Sequence, residues 1–172
     1  MKKIVLLAAM MLGLTGVVSA DNLLYNGEFK RLDAKGWAPG WALTNTKNAE
    51  VKFFASGAPD GGFVRISFPT EGQFELRQHL SKKFAPNTKY KVSFKMRGTD
   101  FTSADLGVIF INDGWSKSSG ARKLVPTAQW KEYEYVFATP EYKKYLGFVI
   151  LARKAKGTVE FADVEIEALD ND

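Results

Sequence analysis

Arg77-Gln78-His79 is the one short run that gathers a guanidinium, an amide and an imidazole, the donor types with which a polysaccharide lyase neutralises a carboxylate and removes a proton. In an extended strand, neighbours point to opposite faces, so Gln78 is separated from Arg77 and His79 unless a bulge intervenes. Glu75 shares the parity of Arg77, but no second carboxylate is placed beside it. A glycosidase needs two, ~5–9.5 Å apart across a cleft. The single histidine rules out a His-rich metal centre, the absence of cysteine rules out thiol chemistry, and no Gly-x-Ser-x-Gly is present. A small lyase or glycosidase stays open as an alternative. The better reading of Arg77 and His79 is as donors to hydroxyls or to a uronate carboxylate, or as an ordinary solvated strand face.

Four tryptophans carry the other candidate chemistry. Trp41 follows Pro39-Gly40 and Trp115 follows Asp113-Gly114. A tryptophan in a turn-rich loop either anchors that loop or offers its ring to a ligand. The row Lys89, Lys91, Lys95 and Arg97 is the one basic stripe, best read as a solvated strand face that also discourages edge pairing.

The elements that must position these residues are almost all of period two. Val64, Ile66 and Phe68 alternate with Arg65 and Ser67; Leu76, Gln78 and Leu80 oppose Glu75, Arg77 and His79. Tyr90, Val92, Phe94 and Met96 alternate with Lys and Ser, and Tyr133, Tyr135 and Phe137 share a face. Leu106 to Ile111 is apolar on both sides, which predicts a strand buried on both faces. Short strands are further expected over Glu50–Ala55, Tyr145–Ala152 and Gly157–Leu169, and a short apolar strand at Asn22–Tyr25. Eight or nine short strands between Gly, Pro and Asn turns predict an all-β, two-sheet β-sandwich of jelly-roll type.

Met1 to Ala20 has a basic start, an apolar run from Ile4 and the small-residue site Val18-Ser19-Ala20, so a cleaved secretory signal is expected. Taking 20 from 172 residues leaves 152, residues 21–172, the size of one domain. Losing Lys2 and Lys3 takes the 24 basic residues to 22 against 19 acidic ones, a net charge of +3 that does not argue for nucleic acid. The chain is expected to be secreted or periplasmic, monomeric, without a membrane segment after signal cleavage and without disulfides.

Asn22-Leu23-Leu24-Tyr25-Asn26-Gly27-Glu28-Phe29 with Gly36-Trp37, then Phe74–Leu80, Tyr90–Phe94, Trp130–Phe137 and Val159–Ile166, resemble in order the motifs of carbohydrate-binding modules of families four, nine and twenty-two. That resemblance implies a galactose-binding-like jelly roll, usually non-catalytic, with a poly- or oligosaccharide as partner. It implies Trp37 and Trp130 in the core, and Trp41, Trp115 and Phe74 lining a ligand cleft. With Arg77, His79 and Asp113 these make the expected carbohydrate-binding set. Phe74 nonetheless shares the parity of Leu76, which points it to the core. The resemblance also implies a structural calcium held by Glu28 and Asp163. Ala162 stands where the family often has a second aspartate, and the alternative is that both carboxylates are solvated or paired with lysines. Face parity flips between Phe161 and Val164, so a bulge is expected near Ala162-Asp163. A surface or adhesion domain without a sugar cleft is the remaining alternative.

Overall fold

The computed structural model describes residues 22–80 and 84–169; the expected signal, residues 1–20, lies outside them. The described residues form eight antiparallel strands: β1 (Ala42–Lys47), β2 (Glu50–Phe54), β3 (Phe63–His79), β4 (Lys89–Thr102), β5 (Asp105–Asn112), β6 (Ser118–Ala121), β7 (Lys131–Ala138) and β8 (Leu146–Ala168). Among the described residues no helix is long and apolar enough to cross a membrane.

Two strands are much longer than the alternation predicts. β3 continues through Pro69, joining two expected strands, and β8 does the same through Gly157. They pair along both halves, with register shifts between Phe68 and Gly72. At this corner a Cβ on Gly72 would lie 2.5 Å from the Lys47 carbonyl, so only glycine lets the chains turn so closely. The corner divides the molecule into two layers. One comprises β1, the second half of β3, the first half of β8, β5 and β6; the other comprises β2, the first half of β3, the second half of β8, β4 and β7.

The apolar faces of the layers meet in a single core. Phe74, Leu76, Phe110, Phe148 and Ile150 come from the first layer, and Ile66, Val92, Phe94, Phe161 and Ile166 from the second. Phe68–Phe74 and Tyr90–Phe110 ring contacts at 6.0 and 6.4 Å bridge them. Each such side chain contributes roughly 1.5–3 kcal/mol on full burial, which explains a fold held without disulfides. β5 is buried on both faces as expected: Leu106, Val108 and Phe110 face the core, while Ile109 and Ile111 pack with Val149 and Leu151 on the outside, covered by Trp115 and Tyr145.

The expected strand at Asn22–Tyr25 is instead a chain of turns. It is stitched to β8 by single bonds, Leu23 N to Ile166 O (2.9 Å) and Val164 N to Gly27 O (3.1 Å). The Asn22 side chain imitates a peptide, donating to Val164 O at 3.0 Å and accepting from Ile166 N at 3.1 Å. Gln78, inward as its parity predicts, exchanges two bonds with the Tyr25 backbone. The bulge expected near Asp163 is present: Phe94 alone faces Asp163 and Val164, and Asp163 has φ 46°.

Two expected site residues belong to the core. Phe74 is fully buried, as Leu76 parity required. Trp41 is 4% exposed, its ring 5.3 Å from Phe29 and its Nε1 donating to Asn26 O at 3.1 Å. The indole turns back under the turns of residues 22–29 rather than out of the loop, so it cannot serve as a platform. Trp37 packs half-buried against the same cluster, edge-on to Phe53. Trp130 corrects the expectation in the opposite direction. It is half-buried on the outer side of the second layer, beside Phe63 and Arg97.

Candidate functional site

The outer face of the first layer gathers Arg77, His79 and Trp115. On β3, Glu75, Arg77 and His79 project outward because Phe74, Leu76 and Gln78 are committed to the inside. Glu75 organises the face although its side chain is only 4% exposed. Its carboxylate accepts from Asn45 Nδ2 at 2.9 Å and pairs with the Arg77 guanidinium; Arg153 Nη2, on β8, lies 3.9 Å away. Gln73 Nε2 donates to Asn45 Oδ1 at 2.7 Å and extends the network to the sheet edge. A buried carboxylate needs such donors, and in return it fixes their direction.

Held in this way, the Arg77 guanidinium lies over the Trp115 ring, 4.6 Å from its centroid. Among the described residues Arg77 Nε is buried without a hydrogen-bond partner. Trp115 ends a 3-10 turn, Asp113–Trp115, in a left-handed conformation with φ 62°. Such a conformation is costly for a bulky residue and persists only in a well-braced loop. Asn112 Oδ1 accepts from Lys117 N at 2.8 Å, and the Asp113 carboxylate accepts from Lys143 N and Lys144 N at 2.9 and 3.2 Å.

Asp113 is therefore a brace for the loop that carries Trp115. The Lys143 and Lys144 amides hold its carboxyl below the ordinary aspartate range. With the folded value depressed, the brace is fully present above the unfolded aspartate value of roughly 3.9 and is lost as pH falls through the folded value. Protection of the Lys143 and Lys144 amides, measured against the intrinsic exchange rate at each pH, is expected to fall only in that acid window. Protection that stays constant down to acid unfolding would show that the brace is not formed.

Tyr145 completes the face. A Cβ on Gly147 would meet the Tyr145 hydroxyl at 2.5 Å, so the glycine lets the phenol lie against the sheet. The exposed His79 ring stacks on it with centroids 4.8 Å apart. Glu75, Asn45, Tyr145 and Arg153 were missed as site residues by sequence reasoning. Only Glu75 left a signal there, the outward parity it shares with Arg77. The result is an open strip of half-buried aromatic surface, edged by guanidinium, imidazole and amide donors and underlain by Ile109, Ile111, Val149 and Leu151. Glu75 is enclosed by its donors, which suits a positioning group rather than a general acid that must meet substrate.

Glu28 and Asp163 do come together, lining one depression of about 350 Å³. Asp163 is already paired there, with Lys95 Nζ at 3.1 Å, and Lys95 also pairs with Asp60. Among the described residues no group of three or more His, Asp or Glu is arranged to hold a metal ion. Calcium takes six to eight oxygens, so it fits this arrangement only if the Lys95 ammonium is displaced.

No family model matches the sequence, and no curated protein matches it. Solved structures do. The enzymatically active domain of tailspike protein 4 of bacteriophage CBA120 superposes with a TM-score of 0.65 at 15% identity, over 86% of this chain and 21% of that one. This chain thus spans about a fifth of the tailspike chain. TmCBM61 in complex with β-1,4-galactotriose gives 0.63 at 18% identity, over 87% and 100%. The CBM22-1 xylan-binding domain of Paenibacillus barcinonensis Xyn10C gives 0.60 at 17%, over 89% and 97%. At these identities the likeness is one of fold: an all-β jelly roll of the kind carbohydrate-binding modules use.

Proposed function

We propose that this chain is an exported, non-catalytic carbohydrate-binding domain that takes a poly- or oligosaccharide along the outer face of its first layer. The observation that carries the reading is the Arg77 guanidinium, oriented by buried Glu75 and stacked on Trp115, beside a tyrosine lying flat on the sheet. A sugar ring packs its C–H face on an aromatic ring while its hydroxyls need fixed donors at the edge, and this strip supplies both. The fold it shares with a galactotriose-bound and a xylan-binding module supports the same reading.

The test is a glycan array followed by affinity electrophoresis on the best ligand. Trp115→Ala is expected to weaken retention about tenfold, the loss of one stacking surface and of the ring that positions Arg77. No product should leave any polysaccharide. Product release abolished by His79→Ala would establish the lyase reading instead, and flat retention on every glycan would favour a surface domain without a sugar cleft.

We further propose that the clamp between the chain ends works without metal, the Lys95 ammonium meeting the carboxylate charge that a cation would otherwise meet. Melting midpoints in calcium and in chelator are expected to coincide. A rise of several degrees with calcium would show that Glu28 and Asp163 recruit the ion after all.

A further inference from the structure

The outer face of the second layer carries an independent polar-aromatic cluster. Register places Arg65 of β3, Glu160 of β8 and Arg97 of β4 side by side on one rung. The Glu160 side chain is 6% exposed, and each of its oxygens accepts from the Nε of a different arginine. That fixes both guanidinium planes. Their flat sides are also taken: Arg65 lies over Phe54 and Phe63, at 5.0 and 5.5 Å, and Arg97 over Trp130, at 4.6 Å. Among the described residues no protein acceptor takes their terminal nitrogens, although the side chains remain 40% and 32% exposed.

These free donor edges border a depression of about 460 Å³ lined also by the hydroxyls of Ser67, Thr99 and Thr158. Two cations against one carboxylate leave a net charge of +1 on the cluster. A guanidinium whose Nε is committed still offers terminal N–H groups, and two of them side by side match a planar or tetrahedral oxyanion. The hydroxyl row suits sugar hydroxyls, which both give and accept hydrogen bonds. The volume suits one or two sugar rings.

We propose that this face is a second saccharide site, selective for a sugar bearing an oxyanion, either a uronate carboxylate or a sulfate ester. The choice of a sugar as ligand class rests on the proposed function; the site itself rests on residues that the Arg77–Trp115 face does not share.

The experiment is an NMR titration of the isotope-labelled protein with sodium glucuronate, glucose 6-sulfate, glucose, acetate and inorganic sulfate. Backbone amides around residues 65–67, 97–99 and 158–160 are expected to shift saturably with glucuronate or with the sulfate ester, the stronger of the two identifying the oxyanion. Glucose should leave them in place, and Arg97→Gln should weaken the response about tenfold. No saturable shift there with either sugar acid overturns the proposal, as does an equal response to glucose. Acetate or inorganic sulfate binding as tightly as the sugar acids overturns the saccharide assignment. The wild-type titration decides this even if the variant does not fold. Glucuronate and the sulfate ester shifting only residues near Arg77 and Trp115 would refute the second site and leave the proposed function standing.

Discussion

Replacing Trp41 by alanine is expected to cost about 3–5 kcal/mol of stability while leaving sugar affinity per folded molecule unchanged. The indole is packed between Phe29 and Phe148, at 5.3 and 6.3 Å, so truncation loses its burial and leaves a cavity. Its Nε1 bond to the buried Asn26 carbonyl is lost with it. The Trp37 Nε1 bond to the backbone carbonyl of residue 41, at 2.7 Å, is retained in the alanine variant, so the loss is confined to the indole itself. For a domain of this size each kcal/mol moves the melting midpoint by roughly 2–4 °C, which puts the expected fall near ~10–15 °C. Denaturant unfolding gives the stability, and titration of the folded variant with the best array glycan gives the affinity. Near-wild-type melting with lost binding would return Trp41 to the ligand face and break the present division of the tryptophans.

The second large effect belongs to Glu75. Glu75→Ala is expected to weaken glycan binding about tenfold and to destabilise the fold by about 2–3 kcal/mol. The binding loss arises because Arg77 is no longer held over Trp115. The stability loss arises because a guanidinium only 23% exposed is left without its carboxylate. Removing both charges separates these effects. In Glu75→Leu with Arg77→Met the unpaired charge disappears, so most of the stability is expected to return while binding does not. Unfolding and titration of Glu75→Leu, Arg77→Met and the double variant form a cycle that measures the coupling. If the double variant binds normally, the network is purely structural and the sugar site lies elsewhere.

Much of this was legible in the sequence because strand faces alternate with a period of two. Lys89–Met96 shows alternating exposure along β4, and the outward set Glu75, Arg77 and His79 emerged as its parity predicted. Parity was also the better guide to Phe74, where the family comparison pointed to the cleft. Two strands left no such trace. β1 is mostly polar and exposed at a sheet edge, and β6 is Ser-Ser-Gly-Ala; both are defined by backbone pairing to a neighbour rather than by an apolar face.

The tryptophans mark where local reading stops. Trp41 and Trp115 follow similar turn dipeptides, yet one is core and the other lies on the outer face. The difference lies in Phe148, more than a hundred residues from Trp41 in sequence, and in the Asn26 carbonyl that receives its indole N–H.

The sequence by itself therefore determined the strand class, the sandwich and which residues of each long strand face outward, because these follow from nearest-neighbour geometry. Only the tertiary structure decided which outward charges meet. Pairing of β3 with β8, some ninety residues apart in sequence, brings Arg65 to Glu160 and Arg153 to Glu75. Chain register, set by core packing and by the corner at Gly72, is a property of the whole fold and is written in no single segment.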